Sequence, residues 1–206
     1  VGEVTSKVYM DVLIQGVNSA SKNTRGSNLD KQAAGAGRIV VGLYGKEAPE
    51  TAAMFEQLFA GTLPAKCQEV DFSAATAREE LQKKQPVKQC KAAEKKPVNL
   101  EDSSVFSIEK DSIISFGRLK GKFMLREAPS NGDEGARLSH DRKGLLSTRR
   151  GGGTFVFGIT AGDKDSEELD ANSVVFGEVL EGMDLVDKLN NTPVKAYVAG
   201  LGEGSK

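Results

Sequence analysis

Between residues 104 and 180 the chain delivers short apolar pieces in quick succession: SVFSI (104–108), SIISFG (112–117), GKFML (121–125), KGLLST (143–148), TFVFGIT (154–160) and SVVFGEVL (173–180). Each is rich in β-branched or aromatic residues and is bounded by glycine, serine or charged residues, so each reads as a strand ended by a turn. No alternation of strands with long helices runs through them. That excludes a doubly wound parallel sheet and predicts antiparallel pairing.

The amino-terminal part adds two strands, Lys7–Ile14 and Arg38–Tyr44, separated by a polar loop over Gln15–Gly37 that is rich in serine, asparagine and glycine. A helix is predicted from Pro49. Proline suits the first turn, Glu50 complements the amino-terminal dipole, and Ala52, Phe55, Leu58 and Phe59 fall at helical spacing before a stop at Gly61. A second helix is predicted over about Met183–Leu189, and a last strand near Val194–Val198. Two helices among about eight strands predict a mainly β domain, an antiparallel barrel or sandwich with helical plugs.

The segment Ala65–Leu100 differs in kind, with the lysine-, glutamine- and glutamate-rich run AREELQKKQPVKQCKAAEKK at its centre. It reads as a partly helical surface excursion. The 206 residues therefore form a single domain with insertions at about 15–37 and 65–100. With 28 basic and 29 acidic residues, no overall field draws the chain to nucleic acid or to an anionic membrane. No window approaches the roughly 18 consecutive apolar residues of a membrane helix.

Several motifs invite chemistry and carry little of it. The glycines of Arg149-Arg150-Gly151-Gly152-Gly153 suggest a phosphate cradle, but a strand follows them where a helix would be needed, so a turn between strands explains them better. His140 is the sole histidine, which rules out a histidine metal cluster and leaves it a loop residue. No cofactor and no metal site is expected. Cys67 and Cys90 both fall in the second insertion, where a bridge and two free thiols are both open; one cysteine pair does not support a zinc site.

Three longer stretches resemble cyclophilins, the cyclosporin-binding peptidyl-prolyl cis-trans isomerases. GRIVVGLYGKEAPETAAMFEQL (37–58) is similar to that family's second strand and first helix. GLLSTRRGGGTFVFGIT (144–160) is similar to its central motif, and LDANSVVFGEVLEGMDLVDKL (169–189) to its carboxy-terminal signature. The resemblance implies an eight-stranded closed antiparallel barrel capped by two helices. Val174, Val175 and Phe176 would then be barrel interior, and Leu185, Val186 and Leu189 the buried face of a capping helix.

The resemblance also implies a proline pocket, and there this chain departs from the pattern. Ser107 stands where the family has histidine, and Ile108 where it has the arginine that stabilises the twisted peptide bond. Ile113 and Ile114 take phenylalanine and methionine positions, and Phe116 and Phe155 glutamine positions. Glu168 replaces a tryptophan and Ser173 a histidine. The remnants are Ile113, Phe155, Phe157 and Leu169. No catalytic residue is expected to survive, although Arg118, Arg149 and Arg150 are candidates to replace the missing cation.

The expected function is therefore a cyclophilin-like domain with a degenerate isomerase centre, a subunit that docks a protein partner or larger complex through the 65–100 insertion. An active isomerase that assists folding is the alternative, with proline-containing peptides as ligands. Divergent members with such insertions resemble plastid proteins, including those of the thylakoid lumen, which implies a chloroplast location; the cytoplasm is the alternative. No nucleic-acid partner and no membrane span are expected, although association with a membrane complex is compatible.

Overall fold

The computed structural model describes residues 2–15, 33–73, 76–101, 103–131, 134 and 138–192. Seven strands form one sheet: β1 (Ser6–Gln15), β2 (Ala33–Leu43), β3 (Ser107–Ile108), β4 (Ile113–Phe116), β5 (Leu145–Arg149), β6 (Phe157–Thr160) and β7 (Ser173–Glu181). Their order is β1-β2-β7-β5-β6-β4-β3 and every neighbouring pair is antiparallel, as the closely spaced strands require.

Strand twist and the register shifts in the β1–β2, β2–β7 and β5–β7 pairs curl this sheet, and period-2 alternation gives its inner face one core. Ile39, Val41 and Leu43 of β2, Ile114 and Phe116 of β4, Leu146 of β5, Phe157 and Ile159 of β6, and Val174 and Phe176 of β7 all turn inward. Helix α1 (Pro49–Ala60) plugs it, with Phe55 stacked on Phe176 at 4.3 Å and set edge-on to Phe157 at 5.5 Å. The plug ends as the sequence predicts, at a left-handed Gly61 with φ of 69°. Helix α4 (Met183–Asn190) adds Leu185, Val186 and Leu189. The turn into it needs glycine, because Gly182 has φ of 94° and a Cβ there would fall 2.4 Å from the Arg38 carbonyl oxygen.

Some expectations change. GKFML is no strand: Gly121 enters the left-handed region at φ of 56° and opens a 3-10 turn over Gly121–Phe123, which buries Phe123. Val175 does not face the interior; it joins Tyr44 and Leu145 in a small cluster on the other face, as its place between Val174 and Phe176 demands. A helix the strand pattern does not announce, α3 (Ser166–Asn172), leads into β7. Strand β2 starts at Ala33, because pairing with β1 extends to Gln15, so the loop expected over 15–37 is shorter. Residues 16–32 and the strand expected at 194–198 lie outside the described residues. Among those described, the expected eight-stranded closed barrel is a seven-stranded curled sheet whose end strands are β1 and β3.

The second insertion is partly helical, as its composition predicts. Helix α2 (Ala77–Ala92) opens on a capping box in which Thr76 Oγ1 accepts from the Glu79 N–H at 3.3 Å and Glu79 Oε2 accepts from the Thr76 N–H at 2.9 Å. Cys90 is its one buried residue and forms a disulfide with Cys67. Beneath the helix end, the buried Arg126 guanidinium donates to the carbonyls of Ala65 and Ala93, to Glu94 O at 2.9 Å and to Lys96 O at 3.3 Å.

Candidate functional site

A groove of about 1040 Å³ lies on the outer face of β4, β6 and β5. Strand pairing fixes its floor. Ser115 is opposite both Ser107 and Gly158, and Gly158 is opposite Ser147, so these four residues make one row across the strands. Gly158 leaves a gap in that row, and Ile113 fills it: a Cβ at position 158 would fall 2.2 Å from Ile113 Cδ1. Val156 completes the apolar part of the floor.

Ser147 has an unusual environment. It is 1 % exposed and lines the groove, yet among the described residues its Oγ has no hydrogen-bond partner. A buried hydroxyl without a partner costs on the order of 1–3 kcal/mol unless something supplies one. The neighbouring Thr148 is satisfied, donating from Oγ1 to Val156 O at 2.7 Å.

Helix α3 forms one wall, presenting Glu168 and Leu169, and the turn from β5 forms another. Gly151, Gly152 and Gly153 take φ values of 81°, 69° and 72°, so the glycine run is a left-handed turn between strands, as expected. Arg150 ties that turn to the wall. Its guanidinium donates to Asp170 O at 3.1 Å and Ser173 O at 3.0 Å, while its N–H donates to Asn172 O at 2.9 Å. Behind the wall stands His140. It is a loop residue, as expected, but it is 1 % exposed, and its Nδ1 lies 2.6 Å from Asp170 Oδ1.

The residues named from the sequence are therefore distributed unevenly. Ile113 and Leu169 line the groove together with Arg149, Arg150, Glu168 and Ser173. Phe157 reaches the floor only from beneath; its ring is buried in the core, stacked on Phe116 at 5.4 Å. Phe155 is likewise buried in the core cluster and does not line the groove. Arg118 stands apart, with its guanidinium 4.2 Å over the Phe106 ring. Ile108 pairs with the fully buried Ile114 and packs against the core, while its neighbour Glu109 faces the groove. Ser147, Val156 and Gly158 are groove residues that the sequence reading did not single out.

Chemically, this is a shallow channel with an aliphatic centre (Ile113, Val156, Leu169), hydroxyls on the floor, carboxylates at Glu109 and Glu168, and arginines at one rim. It suits an extended segment that inserts a compact apolar side chain and hydrogen-bonds along its length. Among the described residues no group of three or more histidine, cysteine or acidic side chains is arranged to hold a metal ion.

Two comparisons bear on this arrangement. Residues 28–200 match the model of the cyclophilin-type peptidyl-prolyl cis-trans isomerases. Among curated proteins the chain is similar to peptidyl-prolyl cis-trans isomerase B of Saccharomyces cerevisiae, with 31% identity over 179 residues, covering 81% of this chain and 73% of the relative.

Proposed function

The chain belongs to the cyclophilin-type peptidyl-prolyl cis-trans isomerase family, and on that premise we propose that its groove binds proline-containing segments with little acceleration of their isomerisation. Rotation about a prolyl bond crosses a resonance barrier of about 18–20 kcal/mol. Lowering it takes an apolar grip on the ring and a donor or cation placed where charge changes in the twisted state. Ile113, Val156 and Leu169 provide the grip. The observation that carries the proposal is Ile108, which stands where the family resemblance implies an arginine and which packs on the core. The groove side of that hairpin offers Glu109 and Ser115 instead. Loss of one preorganised donor costs on the order of 10²–10³ in rate.

A second reading has one observation in its favour. Arg149 is exposed at the groove, and its guanidinium is a candidate to replace the missing cation from the opposite rim. Titration with a proline-containing peptide tests the shared part of both readings. Shifts at the Ile113 and Leu169 methyls are expected, and their absence at millimolar peptide would overturn it.

The same proposal gives the domain a structural role in a larger assembly, docked through the 65–100 insertion. The Cys67–Cys90 bridge supports an oxidising compartment such as the thylakoid lumen. It also takes the sheet as closing to eight strands across the seam between Met10–Ile14 and Val105–Ile108.

A further inference from the structure

Charge in this chain is unevenly spread. Over residues 77–96 seven cations face three carboxylates, an excess of four, whereas the whole chain carries a net charge of -1. The cations are also ordered. Lys84, Lys88 and Lys91 are spaced by four and three residues on α2, so they share one face over about 10 Å. Just past the helix end in sequence, Lys95 and Lys96 join Lys66 in lining a pocket of about 560 Å³ together with Pro64, Ala65 and Pro97. Among the described residues, Lys84 pairs weakly with Glu80 at 3.8 Å, and Lys66, Lys88, Lys91, Lys95 and Lys96 make no ion pair. Glu94, the one carboxylate among the described residues that line the pocket, is turned toward the Cys67 N–H at 3.4 Å.

A lysine face that is only solvated needs no rigid support, and this one has it. The Cys67–Cys90 bond joins the helix to the segment forming the opposite wall, and the buried Arg126 holds the carbonyls of Ala65, Ala93, Glu94 and Lys96 from below. Lys66, Lys95 and Lys96 therefore stand around the pocket on a fixed backbone, which lowers the ordering cost of binding.

We infer that this pocket and the lysine row of α2 bind an acidic segment of a partner protein, with an apolar side chain seated on Pro64 and Pro97 and flanking carboxylates on Lys66, Lys91, Lys95 and Lys96. The inference rests on the docking half of the proposed function and gives that docking its chemistry. A protein segment fits better than other polyanions. The pocket is concave, where a bilayer is flat; its cations are lysines without the arginine forks that favour phosphate, and it has no aromatic ring on which a base would stack.

The test is binding of a fluorescein-labelled peptide of alternating glutamate and leucine to the full chain, with its glutamine counterpart, phosphatidylglycerol vesicles and oligo-dT as competing probes. The acidic peptide is expected to bind with an affinity that falls steeply as salt rises, and to perturb the amides of Lys66, Lys95 and Lys96. The triple variant K66E/K95E/K96E should weaken it by tenfold or more, while proline-peptide shifts at Ile113 and Leu169 stay unchanged. The milder K66Q/K95Q/K96Q should weaken it less, so a folding defect cannot mimic the effect. Equal binding by the triple variant, or tighter binding of vesicles or oligo-dT at these lysines, overturns the inference. Preference for the glutamine peptide at the same amides would keep the docking site and refute its acidic partner; no perturbation there by any probe refutes both.

Discussion

His140 Nδ1 lies 2.6 Å from Asp170 Oδ1, and the same carboxylate oxygen accepts the His140 backbone N–H at 2.7 Å. Through this pair the loop before β5 holds α3, and α3 carries Leu169 and Glu168 into the groove. Burial raises the Asp170 pKa, but the hydrogen bonds from His140 outweigh it and leave the carboxyl below its ordinary value. A depressed carboxylate pKa stabilises the fold fully above the ordinary pKa and loses that contribution as pH falls through the folded value. Stability should therefore decline below about pH 4, with a smaller decline in His140→Ala. That variant should also lose about 2 kcal/mol at neutral pH in urea unfolding, because it empties a buried site.

Ser147 should behave in the opposite sense. Its buried Oγ has no partner among the described residues, so Ser147→Ala removes a desolvation cost and should leave stability unchanged or slightly raised. If the hydroxyl serves a bound segment, the same variant should weaken proline-peptide binding by about fivefold, the value of one hydrogen bond. Calorimetry and peptide titration on one preparation separate the two effects.

Gly158 and Ile113 form the centre of the floor. Gly158→Ala puts a methyl 2.2 Å from Ile113 Cδ1 and 2.6 Å from its Cγ1, and that side chain must move. The fold should survive with a loss of about 1–2 kcal/mol. The Ile113 methyl resonance should shift even without ligand, and peptide affinity should fall.

Reduction of Cys67–Cys90 opens a link between residues 23 positions apart. In the chain-entropy model this costs about 3 kcal/mol. Hydrogen exchange should quicken over Ala77–Ala92, whose one buried residue is Cys90, while β5 and β6 keep their protection.

Much of the sheet and its plugs follow from periodicity. Strands β1, β2, β5 and β7 and helices α1 and α4 arise close to where apolar spacing predicts them, since each turns apolar side chains into the core. The inward face of residues 155–159 was legible too. Phe155, Phe157 and Ile159 are large apolar residues at period 2, and all three are buried in the core cluster. The outward positions fall to Val156 and Gly158, neither of which resembles a pocket residue. The pairing of Cys67 with Cys90 was not legible, because it depends on where α2 returns against the chain. Nor was Ser147, whose importance comes from lacking a partner that only the fold could have provided.

A protease-coupled prolyl isomerisation assay on the folded chain, beside an active cyclophilin and an enzyme-free blank, tests the central claim most directly. A groove without a cation on its floor predicts a rate close to the blank, at peptide concentrations that shift the Ile113 and Leu169 methyls. Acceleration of a hundredfold or more that cyclosporin blocks and Arg149→Ala abolishes would contradict it, and would make this chain an isomerase that draws its cation from the other rim.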